Sequence, residues 1–145
     1  FSGISDRNDH VKLSGYGGKL VREALGVFVE EFAPLHQNQT FKLSNGLTAR
    51  QWQQWARATD AQAQITYLEG PAAGSVALAK RWVGSRPSWY LGTRLSDDSN
   101  QSFFRDALKE LGVPLRGGDG VEIIQRGDVE FQINHKMNTV SWGQR

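Results

Sequence analysis

Leu20, Ala24, Leu25, Phe28 and Phe32 recur at spacings of three and four along LVREALGVFVEEFAP, a period that predicts a helix stopped by Pro34. In TARQWQQWARAT, Thr48 and Gln51 have the spacing of a capping box. Leu47 and Trp52 have the spacing of the accompanying hydrophobic staple, and Trp55 follows one helical turn later. The expectation is a second helix held to a sheet by Trp52 and Trp55, with Arg50, Gln53, Gln54 and Arg57 on its solvated face. Pro71 to Val83 reads as a weak helix. Asp98 or Ser99 is expected to cap a strong one, QSFFRDALKELG, with Phe104, Ala107, Leu108 and Leu111 as its apolar stripe and Gly112 at its end.

Strands are expected where the period falls to two. Thr40 to Leu43 is a short candidate, followed by the turn Ser44-Asn45-Gly46; Gln64 to Leu68 and Trp89 to Leu91 are two more. Near the end Val121 and Ile123, then Val129, Phe131 and Ile133, alternate with polar residues. Gly127-Asp128 supplies one turn, and His135 to Asn138 a second, into Thr139-Val140-Ser141-Trp142. The predicted fold class is α+β: a small mixed sheet with two strong helices packed on one face and a C-terminal β-meander. Residues 1–19, polar and Gly-rich, read as a flexible arm with a short strand at Val11 to Leu13. Residues 20–145 read as one domain, divisible into submodules 20–70 and 71–145.

Composition narrows the chemistry. With 145 residues, 39% of them hydrophobic, the chain can bury a core. Seventeen basic against fifteen acidic residues do not make a dedicated nucleic-acid binder. The absence of cysteine removes disulfides and thiolate metal sites. No apolar run approaches the ~20 residues of a membrane span.

SGYGGK, residues 14 to 19, lacks the spacing of a phosphate-binding loop and reads as a linker into the first helix. His10, His36 and His135 show no metal-ligand spacing, so neither metal nor cofactor is expected. The carboxylate pairs Glu30/Glu31, Asp97/Asp98 and Asp119/Glu122 read as solvated or capping groups. One set could do chemistry: His135 as acid or base, Lys136 as charge stabiliser, with the hydroxyls of Thr139 and Ser141, could cleave RNA without metal. The bland alternative is that Asn-His-Lys-Met-Asn is a plain hairpin connection.

Leu20 to Leu25, Trp55-Ala56, Ile65 to Tyr67, Ala107-Leu108 and Asn138-Thr139-Val140 carry a resemblance, over roughly 100 residues. In type and order they resemble the secretin N-terminal (STN-like) domain and the toxin-coregulated-pilus Q-type accessory proteins. That resemblance implies an exported, periplasmic module of a secretion, pilus or conjugation complex, without enzymatic activity. Its partners would be proteins, taken up at the last strand through Thr139, Val140, Ser141 and Trp142. The rival expectation is a compact ribonuclease toxin domain, and nucleic acid is a partner under that reading alone.

Overall fold

A computed structural model describes residues 15, 16 and 18–144. The expected strand at Val11 to Leu13, and most of the expected arm, lie outside these residues. Eleven strands and two helices make up the described chain. It divides into two compact units, residues 1–102 and 103–145.

The first helix, α1 (Lys19–Leu25), is half the expected length. It ends because Gly26 takes a left-handed φ of 64° and donates its N–H to the Arg22 carbonyl. A Cβ at residue 26 would fall 2.7 Å from the Ala61 nitrogen, so only glycine fits there. The carbonyl of Gly26 accepts the N–H groups of Thr59, Asp60 and Ala61. The chain therefore leaves α1 as a strand, β1 (Val27–Pro34), rather than continuing the helix. β1 pairs antiparallel with β4 (Trp52–Ala58), with Val27 opposite Ala58 and Pro34 opposite Trp52. Glu30 is a bulge: Val29 faces Ala56, and Glu31 faces Trp55.

The predicted helix at 48–59 is therefore two strands, β3 (Thr48–Arg50) and β4, joined by Gln51 at φ 68°. In an extended chain, residues three apart point to opposite faces. Trp52 and Trp55 thus lie on opposite sides of β4, each half-buried, instead of sharing one helical face. β2 (Thr40–Lys42), β3 and β8 (Arg94–Leu95) form a three-stranded antiparallel sheet in the order β2-β3-β8. Another three-stranded sheet joins β5 (Gln62–Thr66), β6 (Val76–Val83) and β7 (Arg86–Leu91) in chain order. The expected weak helix over 71–83 is in fact the central strand of that sheet. The core gathers Val27 and Val29 of β1, Ala56 of β4, Val76 and Ala79 of β6 and Tyr90 of β7, with Tyr16, Leu25 and Ala61 packed against it.

The second helix, α2 (Asp97–Glu110), opens one turn earlier than expected. Neither Asp98 nor Ser99 caps it. The Ser96 carbonyl accepts Asn100 N–H at 2.8 Å, and its hydroxyl accepts Ser99 N–H at 3.4 Å. Ser99 is instead buried and takes the Thr48 N–H on its own hydroxyl at 3.0 Å. Phe104 and Leu111, expected on a buried stripe, are exposed. The 103–145 unit closes with β9 (Val121–Arg126), β10 (Val129–Asn134) and β11 (Thr139–Gln144), antiparallel in the order β11-β10-β9. The architecture is mostly β, built from small antiparallel sheets. This corrects the expected α+β class, because among the described residues only one long helix forms and every named pair of strands is antiparallel.

Candidate association surfaces

The residues that could have made a ribonuclease are not assembled as one. His135 and Lys136 occupy the turn after β10, where Asn134 Oδ1 accepts the N–H groups of Lys136 and Met137 at 3.1 and 3.0 Å. His135 Nε2 lies 3.1 Å from Glu122 Oε2. Lys136 Nζ is ion-paired with Asp119, whose carboxyl it holds below the usual carboxylate range. Thr139 sits opposite Asn134 on β11, and Ser141 opposite Gln132. Ser141 lines a shallow cleft with Glu130, Gln132, Trp142, Gly143 and Gln144, which His135, Lys136 and Thr139 do not line. The geometry is that of a hairpin connection whose charges are matched by neighbouring carboxylates.

The other candidates resolve in the same way. Among the described residues, no group of three or more His, Asp or Glu could hold a metal ion. Glu30 accepts from Arg57 at 3.2 Å and Glu31 from the Tyr16 hydroxyl at 3.1 Å. Asp97 pairs with Arg50 at 2.5 Å. His36 lines a polar cleft of about 550 Å³ with Gln39, Arg50 and Gln51. His10, Ser14 and Gly17 lie outside the described residues. α1, the helix that SGYGGK enters, is seven residues long.

Gln53 and Gln54, expected in solvent, are buried. Consecutive residues of a strand face opposite ways, so each amide must find partners on its own side. Gln53 donates to the Glu69 carbonyl at 2.8 Å and accepts the Ala72 N–H at 3.0 Å, which fixes the loop between β5 and β6. Gln54 Oε1 accepts the Tyr90 hydroxyl, and its backbone N–H reaches the Tyr67 hydroxyl at 3.3 Å. Tyr67 passes its own hydrogen to the Gly92 carbonyl at 2.7 Å. Thr93 closes the group with a 2.6 Å bond to the Trp52 carbonyl. Burial pushes both phenols well above their usual range, most strongly for Tyr90.

Two outward surfaces stand out, one in each compact unit. On the β5-β6-β7 sheet, Lys80 faces Trp89 and Trp82 faces Pro87 across the β6–β7 pair. The Lys80 ammonium sits 4.8 Å from the Trp82 ring centre and 5.8 Å from that of Trp89. Trp82 remains 56% exposed. Sequence reasoning passed over this surface. Its signal was a run, Pro71 to Ser96, holding Lys80, Arg81, Arg86 and Arg94 and no carboxylate. The second surface is β11 itself, where Val140 and Trp142 are 53% and 71% exposed. In its three-stranded sheet β11 is an edge.

Comparison with known proteins decides what kind of domain carries these surfaces. Residues 1–114 match the family model described as the beta-galactosidase trimerisation domain. The chain belongs to that family. A beta-galactosidase of an Arthrobacter species is 41% identical over 142 residues, covering 93% of this chain and 20% of the relative. The beta-galactosidase LacZ of Heyndrickxia coagulans is 33% identical over 144 residues, 93% of this chain and 22% of the relative. The crystal structure of the beta-galactosidase of Bacillus circulans sp. alkalophilus superposes with a TM-score of 0.79 at 27% identity, over 93% of this chain and 22% of that one. The chain spans about a fifth of the length of the curated relatives it matches.

Membership in the beta-galactosidase trimerisation domain family overturns the resemblance to secretin and pilus accessory modules. That resemblance rested on short helix and strand signals that many small domains share, and one of its segments, Trp55-Ala56, is strand here rather than helix. The readings as a secretion, pilus or conjugation module and as a ribonuclease toxin fall with it, since the relatives are glycosidases. Nucleic acid as a partner has no support. Among the described residues no helix is long and apolar enough to cross a membrane.

Proposed function

We propose that this chain is a subunit-association region of a β-galactosidase, and that it helps to hold three copies of its parent polypeptide together. The observation that carries the reading is the match of residues 1–114 to the trimerisation-domain model. The 41% identity to an Arthrobacter beta-galactosidase supports the activity assigned to the parent. The physical fit lies in the exterior: a stiff, hydrogen-bonded interior presents aromatic and basic side chains outward, the composition of an interface rather than of a catalytic cleft. β11 adds a sheet edge with Thr139, Val140, Ser141 and Trp142, which can accept a further strand from the assembly.

Light scattering coupled to size exclusion tests the reading on the full-length parent polypeptide, alongside hydrolysis of a chromogenic β-galactoside. A trimer that cleaves the galactoside is expected. A parent that stays monomeric at micromolar concentration overturns the assembly role, and one inert toward β-galactosides overturns the assigned activity. Removing residues 139–144 should weaken the trimer; an unchanged mass would exclude β11 from the interface.

A further inference from the structure

A cleft lies where the turn between β1 and β2 meets Gln51, the residue that joins β3 to β4. Backbone bonds hold its walls. Leu35 donates its N–H to the Gln51 carbonyl at 2.7 Å, and Gln39 donates to the His36 carbonyl at 3.0 Å. Gln39 Oε1 in turn accepts the His36 N–H at 3.1 Å. The space of about 550 Å³ is within the range of small-ligand sites.

Backbone conformation sets this place apart. Ten glycines of the described chain take a positive φ, which costs glycine nothing sterically. Three other described residues share that region, and two of them, Asn38 at 70° and Gln51 at 68°, line this one cleft. Glycine would make either turn more cheaply, most of all at Gln51, because a longer side chain seldom adopts a left-handed φ. The chain keeps an amide at both positions instead. Strain that the surroundings enforce in this way collects at ligand clamps.

The lining then selects the ligand. It holds no carboxylate, so it has nothing to draw a cation. The Arg50 guanidinium donates to the Leu95 carbonyl at 3.2 Å and pairs with Asp97 at 2.5 Å, so its charge is matched and calls for no anion. What remains is a neutral set: the amides of Gln37, Asn38, Gln39 and Gln51, the Thr40 hydroxyl and the His36 ring. Among the described residues, the side chains of His36, Gln37, Asn38 and Thr40 have no hydrogen-bond partner within the chain. Each amide offers donors and an acceptor together. A sugar hydroxyl also donates and accepts at once, and a cluster of amides meets several such hydroxyls without a change of charge.

We propose that this cleft binds a neutral saccharide, held by Asn38 and Gln51 with Gln37, Thr40 and His36. The class of ligand rests on the cleft. The choice of a galactoside as probe rests on the activity proposed for the parent.

Hydrogen exchange of the full-length parent, read by mass spectrometry with and without methyl β-thiogalactoside, tests this. Peptides spanning residues 35–40 and 50–52 should slow at least about twofold, the factor reached when ligand concentration equals the dissociation constant. Sodium sulfate at the same concentration should leave them unchanged; equal slowing by sulfate would mark an anion site and overturn the proposal. In the Asn38→Gly, Gln51→Gly double variant the slowing should vanish while thermal stability holds or rises, because glycine relieves the strain. A double variant that keeps the slowing, or that loses stability along with it, overturns the proposal, since the two amides would then serve the fold alone. If the double variant does not fold, Gln37→Ala decides: it should abolish at least half of the slowing, and full slowing would sink the cleft. No slowing in a wild-type parent that is trimeric and cleaves β-galactosides overturns the cleft and leaves the proposed function standing. Slowing in a parent inert toward β-galactosides does the reverse.

Discussion

The Tyr67 hydroxyl donates to the Gly92 carbonyl at 2.7 Å, joining the end of β5 to the end of β7 through the interior. A Cβ on residue 92 would stand 2.8 Å from the Tyr90 hydroxyl and 3.1 Å from those of Tyr67 and the Gln54 amide oxygen. The missing side chain is what leaves room for three polar groups to meet. Tyr67→Phe should cost about 1–3 kcal/mol, since it strands a buried carbonyl and removes the partner of the Gln54 N–H. Gly92→Ala should cost at least as much through overpacking. Urea denaturation measures both, and a Tyr67→Phe protein as stable as the wild type would show that the network contributes nothing net.

The same phenols set an alkaline limit. Burial raises the folded-state pKa of Tyr67, and burial with the nearby Tyr67 charge raises that of Tyr90, above the ordinary 10.0. Groups raised in this direction contribute stability that is full below pH 10 and declines as pH climbs toward the folded values. Absorbance near 295 nm should therefore show these two tyrosines ionising late, together with unfolding. Early, reversible ionisation of all three tyrosines without unfolding would contradict the burial.

Gln53 should be costly to change in either direction. Gln53→Leu leaves the Glu69 carbonyl and the Ala72 N–H without the partners that now satisfy them, at about 2–4 kcal/mol for two stranded groups. Gln53→Glu keeps the shape and one bond, but a carboxylate cannot donate to a carbonyl. Hydrogen exchange at the Ala72 amide should quicken in both variants. An unchanged Ala72 rate would mean that the loop is held by other bonds.

Trp52→Ala and Trp55→Ala should each cost about 2 kcal/mol, below the ~3–5 of a fully buried tryptophan because both rings are half-exposed. Placed on opposite faces of one strand, they should add nearly independently in the double variant. Strong non-additivity would restore a shared environment and count against the strand.

Why the sequence misled at these two residues is a matter of burial on both sides. An alternating strand advertises itself only when one face is wet. β4 is covered on one side by the core at Ala56 and on the other by the loop that Gln53 holds, so polar and apolar residues lose their period. β6 is hidden for a related reason: Val76, Ala77, Leu78 and Ala79 are all buried, and a run of small apolar residues reads as helix. In β1, Phe28 and Phe32 sit four apart, a spacing common to helix and strand, and the bulge at Glu30 removes the alternation that would have decided between them. α2 and the last three strands were legible from the sequence pattern itself, a three-and-four apolar spacing in the helix and alternation with turn residues in the strands. The outward Lys80–Trp82 surface was legible in principle, as a carboxylate-free basic run, but its four residues become neighbours only through the β6–β7 register.

Asp119 offers a local check on the last turn. Its carboxyl is held low by the bond to Lys136, then by that residue's charge, so its titration should move up to the ordinary carboxylate range in Lys136→Ala. An NMR titration of the Asp119 side-chain carbon reads this directly. No movement would place the lysine elsewhere in solution.

The bulge in β1 works as a phase correction in the code of the strand. Val29 is in the core, and by simple alternation a residue two positions later would join it there; that residue is Glu31. The extra residue, Glu30, turns the chain by half a repeat, so Glu31 comes to lie opposite Trp55 and outside the core. Deleting Glu30 would therefore be more harmful than replacing it: replacement loses only an exposed ion pair with Arg57, whereas deletion would leave every residue after it read in the wrong frame.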